Sequence, residues 1–290
     1  MANHRSGEPR GKYIFIVILL ILLLIIGILY YDSNMRLVTS EFKLQYTNLP
    51  GAFDGYRIVL LADLHGAELG VDNERLVTTV REANPDIIAI AGDLIDRHQA
   101  IRPVERQLET AKTLVTQLVT IAPVFYVTGN HEWDSGMVRP LLEMLRNSGV
   151  YVLQNQYRLI DIGGETIIIA GVDDPGGPAD MIMPRGFIEN IRQRESADFI
   201  VVLNHRNYHL SMFSRLGVDL ILSGHAHGGM VRLPFTDGLI GPQYELFPTC
   251  TSGVYSEGDT NMVVSRGLGN HFGWTRFLNN PEVVVVELVR

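Results

Sequence analysis

Five short strings of the chain hold side chains that bind divalent cations. They are Asp63 and His65 in "ADLHG", Asp93 in "AGDLIDR", Asn130 and His131 in "TGNHEW", His205 in "LNHRN", and His225 with His227 in "SGHAHGG". Carboxylate and amide oxygens mixed with imidazole nitrogens suit borderline metals such as Mn, Fe or Zn. Each string alone is weak. A His-x-His pair is commonly a turn, "GD" and "GN" are ordinary turn dipeptides, and an Asp at a strand end often caps the next helix. Their joint occurrence carries the expectation of a metal centre, because five of the nine histidines fall in these strings. No P-loop, Ser-His-Asp order or redox cysteine motif is visible. The lone cysteine, Cys250, excludes an intrachain disulfide and a Cys-based zinc site, and is expected as a packed residue.

The elements around these strings explain how they meet. "RIVLLAD", "DIIAIAGD", "PVFYVTGN", "DFIVVLNH" and "VDLILSGH" are short apolar runs rich in β-branched residues, each closing on Asp, Asn or His. They read as buried strands. Between them, "NERLVTTVREA", "PVERQLETAKTLVTQLV" and "GMVRPLLEMLRNSG" carry apolar residues at helical spacing. The third is expected to start near Pro140 and stop at Gly149. Strand–helix alternation predicts an α/β fold with a largely parallel sheet. Further strands are expected at "ETIIIAG", "NMVVSRG" and "PEVVVVEL", without clear intervening helices, so part of the sheet is mixed or antiparallel. Ligands of open α/β sheets bind at the carboxyl ends of strands, where all five strings lie. In extended chain, residues i and i+2 face one way. Asp63 with His65, and His225 with His227, are therefore each expected to offer two ligands to one spot.

The amino terminus makes a different statement. "YIFIVILLILLLIIGILYY", residues 13–31, is uncharged and long enough for roughly 28 Å of helix, close to the bilayer's hydrocarbon thickness. It is longer than a signal-peptide core and does not end in small residues, so an uncleaved anchor is expected. Arg5, Arg10 and Lys12 precede it against Glu8, whereas Asp32 and Glu41 balance Arg36 and Lys43 beyond it. The positive flank stays cytoplasmic. The chain thus divides into a cytoplasmic flank (1–12), a transmembrane anchor (13–31), a linker (32–55) and a domain (56–290). It would be a single-pass protein of the cell membrane with its domain outside the cytoplasm. Tyr13, Tyr30 and Tyr31 sit where interfacial aromatics belong. The net charge of −8 argues against a stable nucleic-acid partner.

The ordered strings "DLH", "GDLIDR", "GNHE", "NHRN" and "GHAHGG" resemble the calcineurin-like metallophosphoesterase superfamily over about residues 56–290. The strings "GVDDP" and "VVSRGLGN…PEVVVVEL" further resemble its YkuE-like group of membrane-associated or exported bacterial phosphohydrolases. One departure is "HAHGG", where many relatives have "HTHGG"; the changed residue is not a ligand. The resemblance implies a four-layer α/β/β/α sandwich preceded by the transmembrane helix, and a site for two divalent metal ions (Mn, Zn or Fe). Asp63, His65 and His227 would hold one, Asn130, His205 and His225 the other, and Asp93 would bridge them. A hydroxide shared by the ions would attack a phosphate mono- or diester. His131 would act as general acid, with Asp96 orienting its ring. Substrates at that address would be an envelope lipid, a cell-wall polymer or a nucleotide. A non-catalytic scaffold on the same fold is the alternative, as is a nuclease or protein phosphatase using the same site.

Other residues carry plainer expectations. His98 and His209 read as surface residues. Arg206 and Asn207 could touch phosphate or cap a helix. Arg266 could reach substrate or make an ordinary ion pair. His271, Phe272 and Trp274 read as a packed surface loop or an apolar substrate patch near the membrane, and the stretch 176–187 as an ordinary connection or a lid or membrane-contacting loop. Ala226 is a spacer, and Gly228 and Gly229 are expected to leave room for substrate.

Overall fold

The computed structural model describes residues 10–98, 102–177, 184–233, 236–241, 244–270 and 275–290. Helix α1 (Arg10–Met35) contains the apolar segment and runs to Met35, past its expected end at Tyr31. Its apolar window is 0% buried, so it stands clear of the folded part. Among the described residues it is the one helix long and apolar enough to cross a membrane.

The folded part then runs, in chain order, β1 (Val38–Gln45), β2 (Arg57–Leu61), α2 (Glu74–Glu82), β3 (Ile87–Ala91), α3 (Val104–Leu118), β4 (Val124–Val127), α4 (Asn130–Asp134), α5 (Val138–Asn147), β5 (Tyr151–Val152), β6 (Gln156–Ile162), β7 (Glu165–Val172), α6 (Pro184–Arg194), β8 (Ile200–Asn204), α7 (Leu210–Arg215), β9 (Leu220–Ser223), β10 (Gly253–Glu257), β11 (Thr260–Val264) and β12 (Glu282–Val289). The strands form two six-stranded sheets. Sheet A has the order β1-β12-β2-β3-β4-β5, and sheet B the order β10-β11-β9-β8-β7-β6. The cores β2-β3-β4-β5 and β11-β9-β8-β7 are parallel; in sheet A β12 joins β2 antiparallel and β1 joins β12 in parallel, and in sheet B β10 and β6 each close an edge with an antiparallel pairing.

Why two sheets stack follows from residue alternation. Successive side chains of a strand point to opposite faces. In β2, Ile58 and Leu60 join the core between the sheets, while Val59 and Leu61 join the core under α2, α3 and α5. In β8, Val201 and Leu203 face the inter-sheet core, and Ile200 and Val202 pack with α6 and α7. Three apolar cores separated by two sheets make a four-layer α/β/β/α sandwich. Truncating fully buried Leu222 to Ala would cost about 2–5 kcal/mol.

The linker expected over 32–55 needs correction. It holds the end of α1 and all of β1, which pairs in parallel with β12 over eight registered positions. The half-buried, alternating pattern of β1 is that of an edge strand. Its partner lies at the far end of the sequence, so no local signal announces it. The stretch 176–187 enters α6 at Pro184, and its residues 178–183 lie outside the described residues, as do His271, Phe272 and Trp274.

Candidate metal centre

The strand ends of both sheets meet at one edge, and the loops that follow are laced together. Beyond β2 and β3 the backbone keeps pairing: the His65 N–H donates to Asp93 O at 2.9 Å, and the Gly66 N–H to Leu94 O at 2.9 Å. Across the seam between the sheets, the His225 N–H donates to the Asp63 carboxylate at 3.0 Å. The i, i+2 pairs converge, but not as extended chain. Asp63, His65, Asp93, His225 and His227 all have φ between 49° and 69°. Non-glycine residues in this left-handed region cost of order 1–3 kcal/mol each and gather at functional sites. Turns therefore deliver these side chains, and His227 opens a short 3₁₀ turn, His227–Gly229.

Close approach dictates small residues beside the turns. A Cβ on Gly129 would collide with the Asp93 carboxylate. Gly228 does not clear space for substrate as expected. A Cβ there would meet Arg266 Cγ at 2.8 Å and would also collide with the Asn279 side-chain oxygen, so it serves packing. Gly229 likewise lies against Gly238.

Every expected ligand arrives at this edge. Asp63, His65 and His227 have donor atoms within 4.8 Å of one another, as do Asp93, His205 and His225. The Nε2 atoms of His65 and His227 lie 3.1 Å apart. His205 Nε2 lies 3.2 Å from His225 Nδ1, from Asn130 Oδ1 and from Asp93 Oδ2. His65 Nε2 is 3.8 Å from Asp93 Oδ2, so Asp93 stands between the two groups. His131 Nδ1 lies 3.1 Å from Asp96 Oδ1, and the two join His65 in a third cluster. Paired imidazole nitrogens facing each other among carboxylate oxygens are a donor set that fits divalent cations.

The charges explain the side-chain states. Burial pushes the Asp93 carboxyl up, but the imidazoles of His205, His131 and His65 more than offset this and hold it well below the usual range. Burial pulls His205 down, yet Asp93 beside it raises it to about 10. His225 is driven well below an ordinary imidazole by burial, His205 and Arg206. Asp63 is pushed up by burial.

Several supporting residues lay beyond sequence reasoning. Glu132, in the quoted "GNHE", is fully buried and accepts the N–H groups of Gly129, Asp93 and Leu94 at 2.7–2.9 Å. One carboxylate thus fixes the β3 and β4 loops to each other. Gln107, on the buried face of α3, accepts the Asp96 N–H at 2.6 Å. Asn279 donates to the carbonyls of His227 and Met230 at 2.7 and 3.1 Å. Arg276 is wholly buried, its charge acting on Asp63, and burial brings it down to about 10. An acid inside a motif is a usable signal for Glu132. Nothing in "TRFLNN" marks Arg276 or Asn279.

The remaining candidates divide. Arg206 is clamped by Asp174 through two bonds of 2.6 and 3.0 Å, and its Nη1 lies 3.3 Å from His225 Nε2. Asn207 is structural, donating to Cys250 O at 2.8 Å. Cys250 is half-buried. Arg266 makes an ordinary pair with Glu282 at 2.9 Å. His98 and His209 are half-buried rather than surface residues, and His98 lines a cavity with Asp96.

With this geometry in hand, likeness to known proteins is informative. The calcineurin-like phosphoesterase family matches residues 56–229. The chain is 29% identical over 270 residues to a metallophosphoesterase of Bacillus subtilis called YkuE, covering 89% of this chain and 87% of that one. It is 27% identical over 296 residues to a zebrafish (Danio rerio) transmembrane protein with metallophosphoesterase domain, covering 98% of this chain and 64% of that one. A metallophosphoesterase of Aquifex aeolicus is 28% identical over 263 residues, with 86% and 90% covered. The chain belongs to the calcineurin-like phosphoesterase family and is a metal-dependent phosphoesterase.

Proposed function

We propose that the chain is a membrane-anchored phosphohydrolase that uses two divalent cations to hydrolyse a phosphate mono- or diester outside the cytoplasm. One observation carries the reading: donor groups from both sheets converge in two clusters with Asp93 between them. Asp63, His65 and His227 would hold one cation, and Asn130, His205 and His225 the other, with Asp93 shared. A carboxylate can serve two cations at once and a neutral imidazole cannot. Bound there, such cations polarise phosphoryl oxygens and lower the pKa of water.

The chain's own residues supply the rest. His131 gives a proton to the departing alcohol oxygen. Asp96 faces His131 Nδ1 at 3.1 Å and holds the ring in place. Asp93 and Asp96 also raise the His131 pKa against the lowering effect of burial, which favours the proton-bearing form. Arg206, braced by Asp174, offers its guanidinium to a phosphoryl oxygen beside His225. Residues 13–31 span the bilayer, and the basic flank before them sets the orientation.

Metal analysis of the purified full chain, followed by assays of nitrophenyl mono- and diesters with Mn or Zn, tests this. About two cations per chain and metal-dependent turnover are expected. Metal binding without any turnover would favour the scaffold. A reporter fused after Arg290 that is active only in the cytoplasm would reverse the orientation.

A further inference from the structure

The end of α1 is built into the domain. Buried Ser33 accepts the Leu278 N–H at 2.7 Å. Asn34 donates to Arg276 O at 2.9 Å and accepts from Asn270 at 2.9 Å. Asn280 donates to Asp32 O at 2.7 Å, and Arg75 to Met35 O at 2.8 Å. These bonds fix the height of the domain above the bilayer as well as its tether.

A cavity of about 590 Å³ fills the space between this helix end and the metal centre. Asn34 and Met35 line one side, His65 and Asp96 another, and the guanidinium-bearing Arg75 and Arg102 also border it. The apolar run ends at Tyr31. Asn34 and Met35 therefore lie only about 5–6 Å further along the axis. The headgroup layer on each side of the hydrocarbon is itself about 5–8 Å deep. The cavity thus begins where lipid phosphates lie.

An exposed apolar surface, bordering His225 on the other side of the metal centre, is connected by hydrogen bonds to the same helix end. A ladder of backbone bonds runs outward from the docked helix end. The Leu278 N–H donates to the Ser33 hydroxyl, and from there the backbone bonds continue: the adjacent Phe277 N–H donates to Met230 O, the Leu239 N–H to Val231 O, and the Phe247 N–H to Leu239 O. Leu233, Tyr244, Leu246 and Phe247 on this apron are exposed. Aromatic and aliphatic side chains of this kind belong at a membrane interface.

We propose that the substrate is a phosphate ester resident in the bilayer, a lipid whose phosphate enters this cavity at headgroup level while its acyl chains stay in the membrane. Withdrawing acyl chains into water costs free energy with every methylene, and this placement avoids it. Arg75 and Arg102 supply the fork geometry that recognises a phosphate. The inference rests on the phosphoesterase reading. In the reaction, water adds its oxygen to phosphorus, one ester P–O bond breaks, and the departing alcohol oxygen takes a proton.

The test uses the full chain in phosphatidylcholine vesicles with Mn or Zn. Phosphatidic acid and phosphatidylglycerol in the vesicles are compared with dissolved glycerol 3-phosphate and glycerophosphoglycerol, with a nitrophenyl ester as the reference. A kcat/KM at least about tenfold higher for a vesicle lipid than for its dissolved analogue is expected, by mass action in a shared surface. Inserting Glu-Lys-Glu-Lys between Tyr31 and Asp32 lifts the cavity by about 6 Å. That insertion should cut lipid turnover about tenfold and leave nitrophenyl ester turnover in place. Arg75→Glu combined with Arg102→Glu should lower the ratio of lipid to nitrophenyl ester turnover. Dissolved analogues as good as lipids, nitrophenyl turnover without any lipid turnover, or an insertion that moves both rates alike would overturn the proposal. Absence of turnover on every ester would instead overturn the phosphoesterase reading.

Discussion

The two sheets bring opposite chemistry to the shared edge. Sheet A delivers Asp63, Asp93, Asp96 and Glu132, an acidic set with Asn130, His65 and His131 among it. Sheet B delivers His205, Arg206, His225 and His227, with Asp174 as its acid. The acidic side is fixed from within, since Glu132 gathers backbone N–H groups of two loops. The imidazole side is fixed from across the seam: Asp63 accepts the His225 N–H, and His205 Nδ1 lies 2.7 Å from Ala91 O. Each sheet alone would carry half a site. The candidate site lies on the seam between the sheets rather than on either one.

The difference between the sides can be broken most severely at Asp93. Asp93→Asn should reduce both metal content and activity, the latter by more than about 10³-fold, given several kcal/mol of metal stabilisation. His225→Ala, on the other side, should lose one cation and most activity. Equal metal loss in the two variants, measured by elemental analysis, would remove the special position of Asp93. His131→Ala should keep its metals and lower kcat by about 10²–10⁴, more for poor leaving groups. If the metals leave instead, His131 belongs with the ligands.

Support of the two sides sharpens the contrast at smaller scale. Glu132→Gln leaves backbone donors of sheet A facing an amide, at about 1–3 kcal/mol for an unsatisfied group. It should weaken metal binding by about 10–100-fold, as outer partners of metal ligands do. Asn279→Ala removes only bonds to the His227 and Met230 carbonyls and should cost less, read by the same metal titration. An Asn279 effect as large as that of Glu132 would erase the distinction between internal and cross-seam support. Smallest of all, Arg206→Lys should raise KM about tenfold with kcat and metal content retained, because a point charge replaces a clamped fork.

Legibility in the sequence tracks how local the cause is. The apolar runs of β2, β3, β4, β8 and β9, and the helical spacing of α2, α3 and α5, could be read directly, because periodicity is a property of neighbouring residues. β1 could not, since its partner β12 sits at the other end of the chain. The residues that gather at the strand ends were legible as candidates, but their left-handed backbone was not. Extended geometry is the default for strand ends, and only the crossing loops impose the turn. His98 is half-buried rather than fully exposed, and it lines the same cavity as Gln107 and as Asn34 and Arg75, which are distant from it in sequence.

Residue type and order by themselves determined the metal-binding chemistry, the α/β alternation and the apolar N-terminal segment, because each is written in contiguous residues. Tertiary structure decided how the halves of the site face each other across a seam. It also decided which buried groups hold them, with Glu132, Arg276 and Asn279 meeting the motifs only after folding. The same holds for the docking of α1. Asn34 and Arg276 are 242 residues apart in sequence and 2.9 Å apart in space, and only packing of the whole chain could put them together.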